Sequence, residues 1–588
     1  MGAAASLVLR ASSSPQRGTS GVETAPLAHA VVLLLSLAAF LTLFVFRAQD
    51  DNRLTSWQWV FTDADVFRLT PILIVGLLLA YALARVRLPR YHPASVLFVL
   101  SFTVAALSWP EPEVIVDVAR YFTQAKHVEL YGAGFFLTQW GGQIGAWTDL
   151  PLVPLLYGLI FSLFGENRLF IQIFTTLLFS GTVVLTYLIG KTLWDEVVGF
   201  YAGALLLGMP YLLVQVPLML VDVPTMFFLT LAVFMTIQAL ERGGTKLVLL
   251  AALAVSLAFC TKYSSWLMLS VLPVVFLARH WRGARSVWLR AATLATASVV
   301  LIGVLVLPNL GVIMRQLEIL QSYQAPGLER WHESFASTFL FQIHPFITGA
   351  ALFSAYAAYK RRDARYVIIL WLPLLMVLLE IKRIRYLLPM FPMLALMASY
   401  GLREIRDRGV RKLVVLCSVA SSVVIMVFGF LPFVQGASAA NLKQAGEYLD
   451  SLATDRVEVI ALAQLHALVN PAVSVPILDL FTSKRLVVRE DLVAAPAAQA
   501  LNQSSLRFTW EYRNPRYYAA GTDATAAGAV VVIASDPAQL LPASIGQQLQ
   551  AYRLSREFVV QENIFGYRTL VQVYLSAPPT PHAQTITT

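Results

Sequence analysis

Several places in the chain set ionisable side chains at the edges of long apolar runs. Asp117 and Arg120 stand one helical turn apart in a polar stretch, and Asp222 opens an apolar run at Val221-Asp222-Val223-Pro224. Lys262 closes another run at Thr261-Lys262-Tyr263, and Glu380, Lys382, Arg383 and Arg385 crowd just before Tyr386-Leu387-Leu388-Pro389. An ionisable group deep in a bilayer costs roughly 2.5–3.5 kcal/mol on insertion scales, so such groups line a cavity or sit at its rim. For any single one, a snorkelling end charge is the plain alternative. Together they suit a specific chemistry. A carboxylate beside several cations can take the proton of an acceptor hydroxyl while the cations stabilise a departing phosphate. In a membrane, that phosphate would carry a lipid tail.

The elements that must position these residues follow from composition. The chain has 588 residues, of which 57% are hydrophobic and only 13% charged, against roughly 25% charged in ordinary soluble domains. So much apolar surface cannot be hidden from water, and the chain reads as an integral membrane protein. Cys260 and Cys417 both sit inside apolar runs and offer neither a disulfide framework nor a zinc spacing. The run 27–46 is about 20 residues, long enough to cross a ~30 Å hydrocarbon core, and no small-residue cleavage site follows it. Residues 1–26, rich in Ala, Ser and Gly, read as a disordered cytoplasmic tail.

Thirteen apolar runs are long enough to span: 27–46, 68–85, 93–109, 168–190, 197–217, 223–240, 246–260, 264–279, 288–308, 338–359, 366–380, 386–402 and 411–434. A fourteenth, 150–164, is about fifteen residues with Pro151 and Pro154 near its start, which suits an interfacial segment. The positive-inside rule agrees. If 150–164 does not cross, the clusters Arg85–Arg90, Arg279–Arg290, Lys360–Arg365 and Arg403–Lys412 all fall on the cytoplasmic side with Arg10 and Arg17. If it crossed, the last three would move outside. The net charge of +10 therefore orients helices and requires no nucleic acid. Two extracytoplasmic regions follow: a loop at 110–167 with juxtamembrane helices, and a tail at 437–588 of soluble composition. Strand-like runs at Val457–Ala463 and Ala529–Ser535, with a helical pattern at Asn441–Leu452, give that tail a small α/β fold.

Other motifs are weaker. Gly190-Lys191-Thr192 resembles the end of a phosphate-binding loop, but Leu185 stands where the first glycine belongs. There is no HExxH, and the eight histidines are scattered. Asp63-Ala64-Asp65 could hold a divalent ion or be a solvated loop. Asn502-Gln503-Ser504 is a glycosylation sequon, meaningful only in a eukaryotic secretory setting.

The ordered set of motifs resembles the GT-C superfamily of polytopic glycosyltransferases, in the branch containing protein O-mannosyltransferases and the lipid A aminoarabinose transferase. That branch carries Asp-x-x-Arg-Tyr-x-x-x-Ala in its first large outer loop; here it is Asp117-Val118-Ala119-Arg120-Tyr121-Phe122-Thr123-Gln124-Ala125. Val118 stands where the family commonly has Glu. A Pro-Pro-Leu segment leading to a juxtamembrane helix and Phe-Gly is matched by Asp149-Leu150-Pro151-Leu152 and Leu163-Phe164-Gly165, with Asp149 in place of the family's lysine. Asp222-Val223-Pro224, Thr261-Lys262-Tyr263 and Lys382–Arg385 before Tyr386-Leu387-Leu388-Pro389 complete the series, over roughly residues 95–435.

The resemblance implies an all-α polytopic catalytic domain over 27–436, with about thirteen transmembrane helices, in the plasma membrane. It implies transfer of a sugar from a polyprenyl-phosphate donor to a lipid, glycolipid or protein acceptor on the extracytoplasmic face, with inversion. Asp117 would be the base or the carboxylate that orients the acceptor. Lys262 and one of Lys382, Arg383 or Arg385 would hold the lipid phosphate, with Arg120 supporting either group. Asp149, Asp222, Tyr121 and Tyr386 would face the sugar or acceptor, although Asp222 could equally cap its helix. No cofactor is implied and protein cations replace an obligatory metal, Asp63 and Asp65 being the reservation. The rival is a polytopic transporter or flippase, whose mark would be repeated halves with helices broken near the midplane.

Overall fold

The computed structural model describes residues 24–51, 65–86, 92–114, 116–280, 284–324, 333–436, 439–463, 468–489, 497–504, 506–519, 527–560 and 568–576. Among these, six helices are long and apolar enough to cross a membrane: Pro26–Val45, Val66–Arg85, Arg168–Leu193, Asp222–Arg242, Arg285–Ser322 and Arg408–Gln435. The other seven expected spans fall on shorter or interrupted helices. The run 197–217 is broken into Glu196–Leu206 and Pro210–Gln215, and the run 386–402 into Ile384–Leu387, a 3-10 turn and Phe391–Leu402. Pro210, Pro389 and Pro392 explain the breaks, since proline removes a helical donor and clashes with the preceding turn. Phe391–Leu402 is apolar all round and every residue in it is buried, so it forms the centre of the bundle.

The polar stretch after the helix Pro93–Ala106 leads into a juxtamembrane helix, Val118–Gln139, kinked where Gly132 takes a positive φ of 81°. The segment 150–164 forms the helix Leu152–Phe164, which packs along it. A Cβ at Gly158 would lie 2.4 Å from Val128 Cβ and 2.6 Å from the Ala125 carbonyl, so only glycine permits this approach. Phe122 and Phe161 meet edge to face across the same contact, 5.9 Å apart.

Beyond residue 439 the chain builds a five-stranded sheet. Its strands are β1 (Arg456–Ala461), β2 (Arg485–Val488), β3 (Ala529–Ala534), β4 (Tyr552–Val559) and β5 (Leu570–Ser576), in the order β2-β1-β3-β5-β4. β1 is parallel to β2 and β3, and β5 is antiparallel to β3 and β4. β3 is apolar and buried throughout, as a central strand must be; the edge strand β4 carries Arg553, Arg556 and Glu557. This sheet region is seated on the segment 110–147. Lys126 Nζ reaches Asp479 at 2.6 Å, Lys443 Nζ reaches the Pro110 carbonyl at 3.1 Å, and Trp147 Nε1 donates to the Glu511 carbonyl at 2.5 Å.

The two ends of the bundle differ in charge. At one end the basic loops interlock: Arg361 pairs with Glu404 at 2.5 Å, Arg403 with Asp195 at 3.4 Å, and Lys412 Nζ donates to the Val86 carbonyl. The helix Asp222–Arg242 runs from Arg242 at that end to Asp222 at the other, beneath the segment that carries Asp117.

Candidate active site

The residues singled out by sequence come together at the loop-covered end. Asp117 stands just before the first turn of the juxtamembrane helix, but its carboxylate caps no backbone N–H. It faces inward and pairs with the guanidinium of Arg385 and, at 3.5 Å, with Arg120. Arg385 is carried inside by Ile384, Leu387 and Leu388, all buried, and its Nε donates to Asp222 at 2.8 Å. Asp222 begins its helix, where the partial positive charge of the terminus favours a carboxylate, and also accepts from Lys262 Nζ at 2.6 Å. One guanidinium thus ties two buried carboxylates. Lys262 further rests 4.6 Å from the centre of the Tyr386 ring, whose face also meets Arg383 at 5.5 Å.

On the other flank, Arg120 lies 3.3 Å from Asp149 and 5.7 Å from the ring of buried Tyr121. Asp149 accepts from Gln124 Nε2 at 3.3 Å. The Nε2 of Gln316 donates to the backbone carbonyls of Ala146 and Asp149 at 3.0 and 2.8 Å, while its Oε1 takes the hydroxyl of Tyr263. Trp147, in the left-handed region with φ 42°, stacks on Tyr512 from the sheet region and lies 6.0 Å from Arg120.

Lys382 is not part of this assembly: its side chain is exposed and pairs with Glu380 at 3.7 Å, while its carbonyl accepts from Thr338. Lys382 lies in the extended connection before the helix Ile384–Leu387, whereas Arg385 lies within that helix. Gln124 and Tyr263 lie inside motifs of the sequence in which they had no assigned role, and Gln316 and Trp147 belong to no motif. Asp65 caps the helix that follows it by accepting from Phe67 N at 2.8 Å. Asp63 lies outside the described residues. Among the described residues no group of three or more His, Cys, Asp or Glu is arranged to hold a metal ion.

The electrostatics separate Asp117 from Asp149. Burial would raise the Asp117 carboxyl, but Arg385 and Arg120, with Arg383 further off, outweigh it and hold it down at about 2. Asp149 moves upward: burial and the charge of Asp117 exceed the pull of Arg120. Asp117 is therefore the fully ionised partner.

Dolichyl-phosphate-mannose-protein mannosyltransferase is the description of the family that matches residues 149–310. No curated protein matches the chain by sequence. Among solved structures, apo ArnT from Cupriavidus metallidurans superposes with a TM-score of 0.52 at 14% identity, covering 82% of this chain and 98% of that one. ArnT bound to undecaprenyl phosphate gives a TM-score of 0.50 at 14% identity, with 81% and 97% covered. The apo oligosaccharyltransferase of Archaeoglobus fulgidus gives 0.47 at 11% identity, with 70% and 66% covered.

Proposed function

We propose that this chain, which has the fold of ArnT and resembles the GT-C glycosyltransferases near the protein O-mannosyltransferase branch, transfers a sugar from a polyprenyl-phosphate donor to a hydroxyl acceptor. The site opens on the extracytoplasmic face of the plasma membrane, within a catalytic unit at 27–436, and the sheet region at 437–588 lies on the same side. The observation that carries this reading is the shared guanidinium of Arg385, buried between Asp117 and Asp222 with Lys262 beside it. That ArnT binds undecaprenyl phosphate supports a lipid phosphate as the ligand of these cations.

The reaction breaks the bond between the anomeric carbon and the phosphate oxygen as the acceptor oxygen attacks from the opposite face, which inverts the centre. Asp117 takes the acceptor proton; Arg385, Lys262 and Arg383 hold the departing phosphate. An incoming phosphate competes with Asp117 for Arg385. As the guanidinium turns to it, the pull that keeps Asp117 a weak base is relieved, so donor binding strengthens the base when it is needed. Asp149, Tyr121 and Tyr386 frame the sugar and acceptor. The acceptor is a lipid, a glycolipid or a protein.

Radiolabelled sugar transfer from a polyprenyl phosphate in detergent, where no transport is possible, tests the reading. Turnover is expected, and replacing Arg385 or Lys262 by Ala should lower it by about 10²–10³, as loss of one charge-stabilising donor does. Binding of donor without any transfer in detergent would point to a transporter instead.

A further inference from the structure

The short helix Pro210–Gln215 presents two buried polar side chains to which the fold gives no partner. Tyr211 and Gln215 are each 1% exposed, and their i, i+4 spacing puts them on one face. The Tyr211 hydroxyl and both amide atoms of Gln215 make no hydrogen bond. The hydroxyl lies within electrostatic reach of Arg385, Asp222, Glu333 and Arg383. Glu333 also keeps one carboxylate oxygen, Oε2, without a partner. Buried polar groups are satisfied in the great majority of cases, and an orphan calls for an explanation such as a ligand. Tyr157, at the same end of the bundle, shows the ordinary solution by donating to the Leu220 carbonyl at 2.6 Å.

We propose that Tyr211 and Gln215 form the subsite that reads the sugar of the donor, and that the sugar is an uncharged ring recognised through its hydroxyls. The proposal rests on the reading above, in which Arg385 holds the donor phosphate: the sugar hangs from that phosphate, and Tyr211 lies within electrostatic reach of that arginine. A phenol and a carboxamide each donate and accept, which matches a hydroxyl's double role. Burial pushes the Glu333 carboxyl up to about 7, so below that pH its free oxygen adds a neutral hydrogen-bonding group. No unpaired charge is spent on the subsite from Pro210–Gln215, as recognition of a charged sugar from that helix would require.

Affinities of the full chain in detergent for bare undecaprenyl phosphate, and for the same lipid carrying mannose, glucose, galactose, arabinose or an amino sugar, test this. The wild type should bind at least one neutral-sugar lipid more tightly than the bare lipid. Tyr211→Phe and Gln215→Leu should each weaken binding of that lipid by roughly three- to tenfold, the worth of one net hydrogen bond. Neither should change binding of the bare lipid. The melting temperature of the ligand-free Phe variant should hold or rise, because the hydroxyl removed has no partner. Preference for the sugar-bearing lipid that survives both substitutions overturns the proposal, as does a preference for the amino sugar alone. A wild type that binds the bare lipid but shows no sugar preference overturns the subsite and leaves the phosphate site standing; one that binds neither lipid overturns both.

Discussion

Arg385 decides the state of the site at the level of single residues, because two carboxylates share its one guanidinium. Asp117→Asn keeps the size and much of the hydrogen bonding of Asp117 but takes no proton, so turnover should fall by at least about 10², the usual range for general-base catalysis. Some stability should be lost with the charge, a loss limited because Arg385 keeps Asp222 and Arg120 keeps Asp149. Single-turnover transfer measured beside the melting temperature checks this; an active but less stable variant would sink the catalytic role. The pH dependence follows from the same pairing. With its folded pKa held at about 2, below an unfolded value of ~3.9, Asp117 stabilises the fold above that value and loses the contribution only as pH falls through about 2. The charge types around Asp117 were legible in the sequence. The choice between Lys382 and Arg385 was not, because both precede Tyr386 and only the start of the helix Ile384–Leu387 between them leaves Lys382 exposed in the connection and carries Arg385 inside.

Helices explain why some elements could be read and others could not. The segment 150–164 declared itself by its length and prolines, and it forms the helix Leu152–Phe164. Its packing depended on Gly158, whose closeness to Val128 no periodicity reveals. Gly158→Val should overpack that contact and cost about 1–3 kcal/mol, read as a lowered denaturation midpoint. Because the juxtamembrane helix carries Asp117 and Arg120, transfer should fall with it. Gln316 stayed invisible for a different reason: one amide on an amphipathic helix has no pattern, and its role exists only where the Asp149 loop comes to meet it. The expected spans at 197–217 and 386–402 ran through prolines that hydropathy averages away, and there the helices are broken.

Across the whole molecule, charge sorts the two ends, with basic loops interlocked at one and the paired carboxylates at the other. A cysteine at exposed Ser286 should resist an impermeant thiol reagent in intact cells, while one at exposed Ser544, in the sheet region, should react; the reverse pattern would turn the chain over in the membrane. The helix Arg285–Ser322 has a further consequence. A 3-10 turn at Leu307–Asn309, which contains Pro308, divides it: the first part, Arg285–Val306, extends about 33 Å at 1.5 Å per residue, close to a ~30 Å hydrocarbon core, and the helix Leu310–Ile319 follows; little of the surface is buried in the protein. It answers to the lipid around it, and near its far tip Gln316 grips the carbonyl of Asp149. A helix whose length matches its bilayer tilts more as that bilayer thins. Through the contact of Gln316 with the Asp149 carbonyl, a change of tilt would displace the Asp149 loop and tie the site to membrane thickness. Turnover in vesicles of graded acyl-chain length should therefore pass through an optimum, and Gln316→Leu should flatten it.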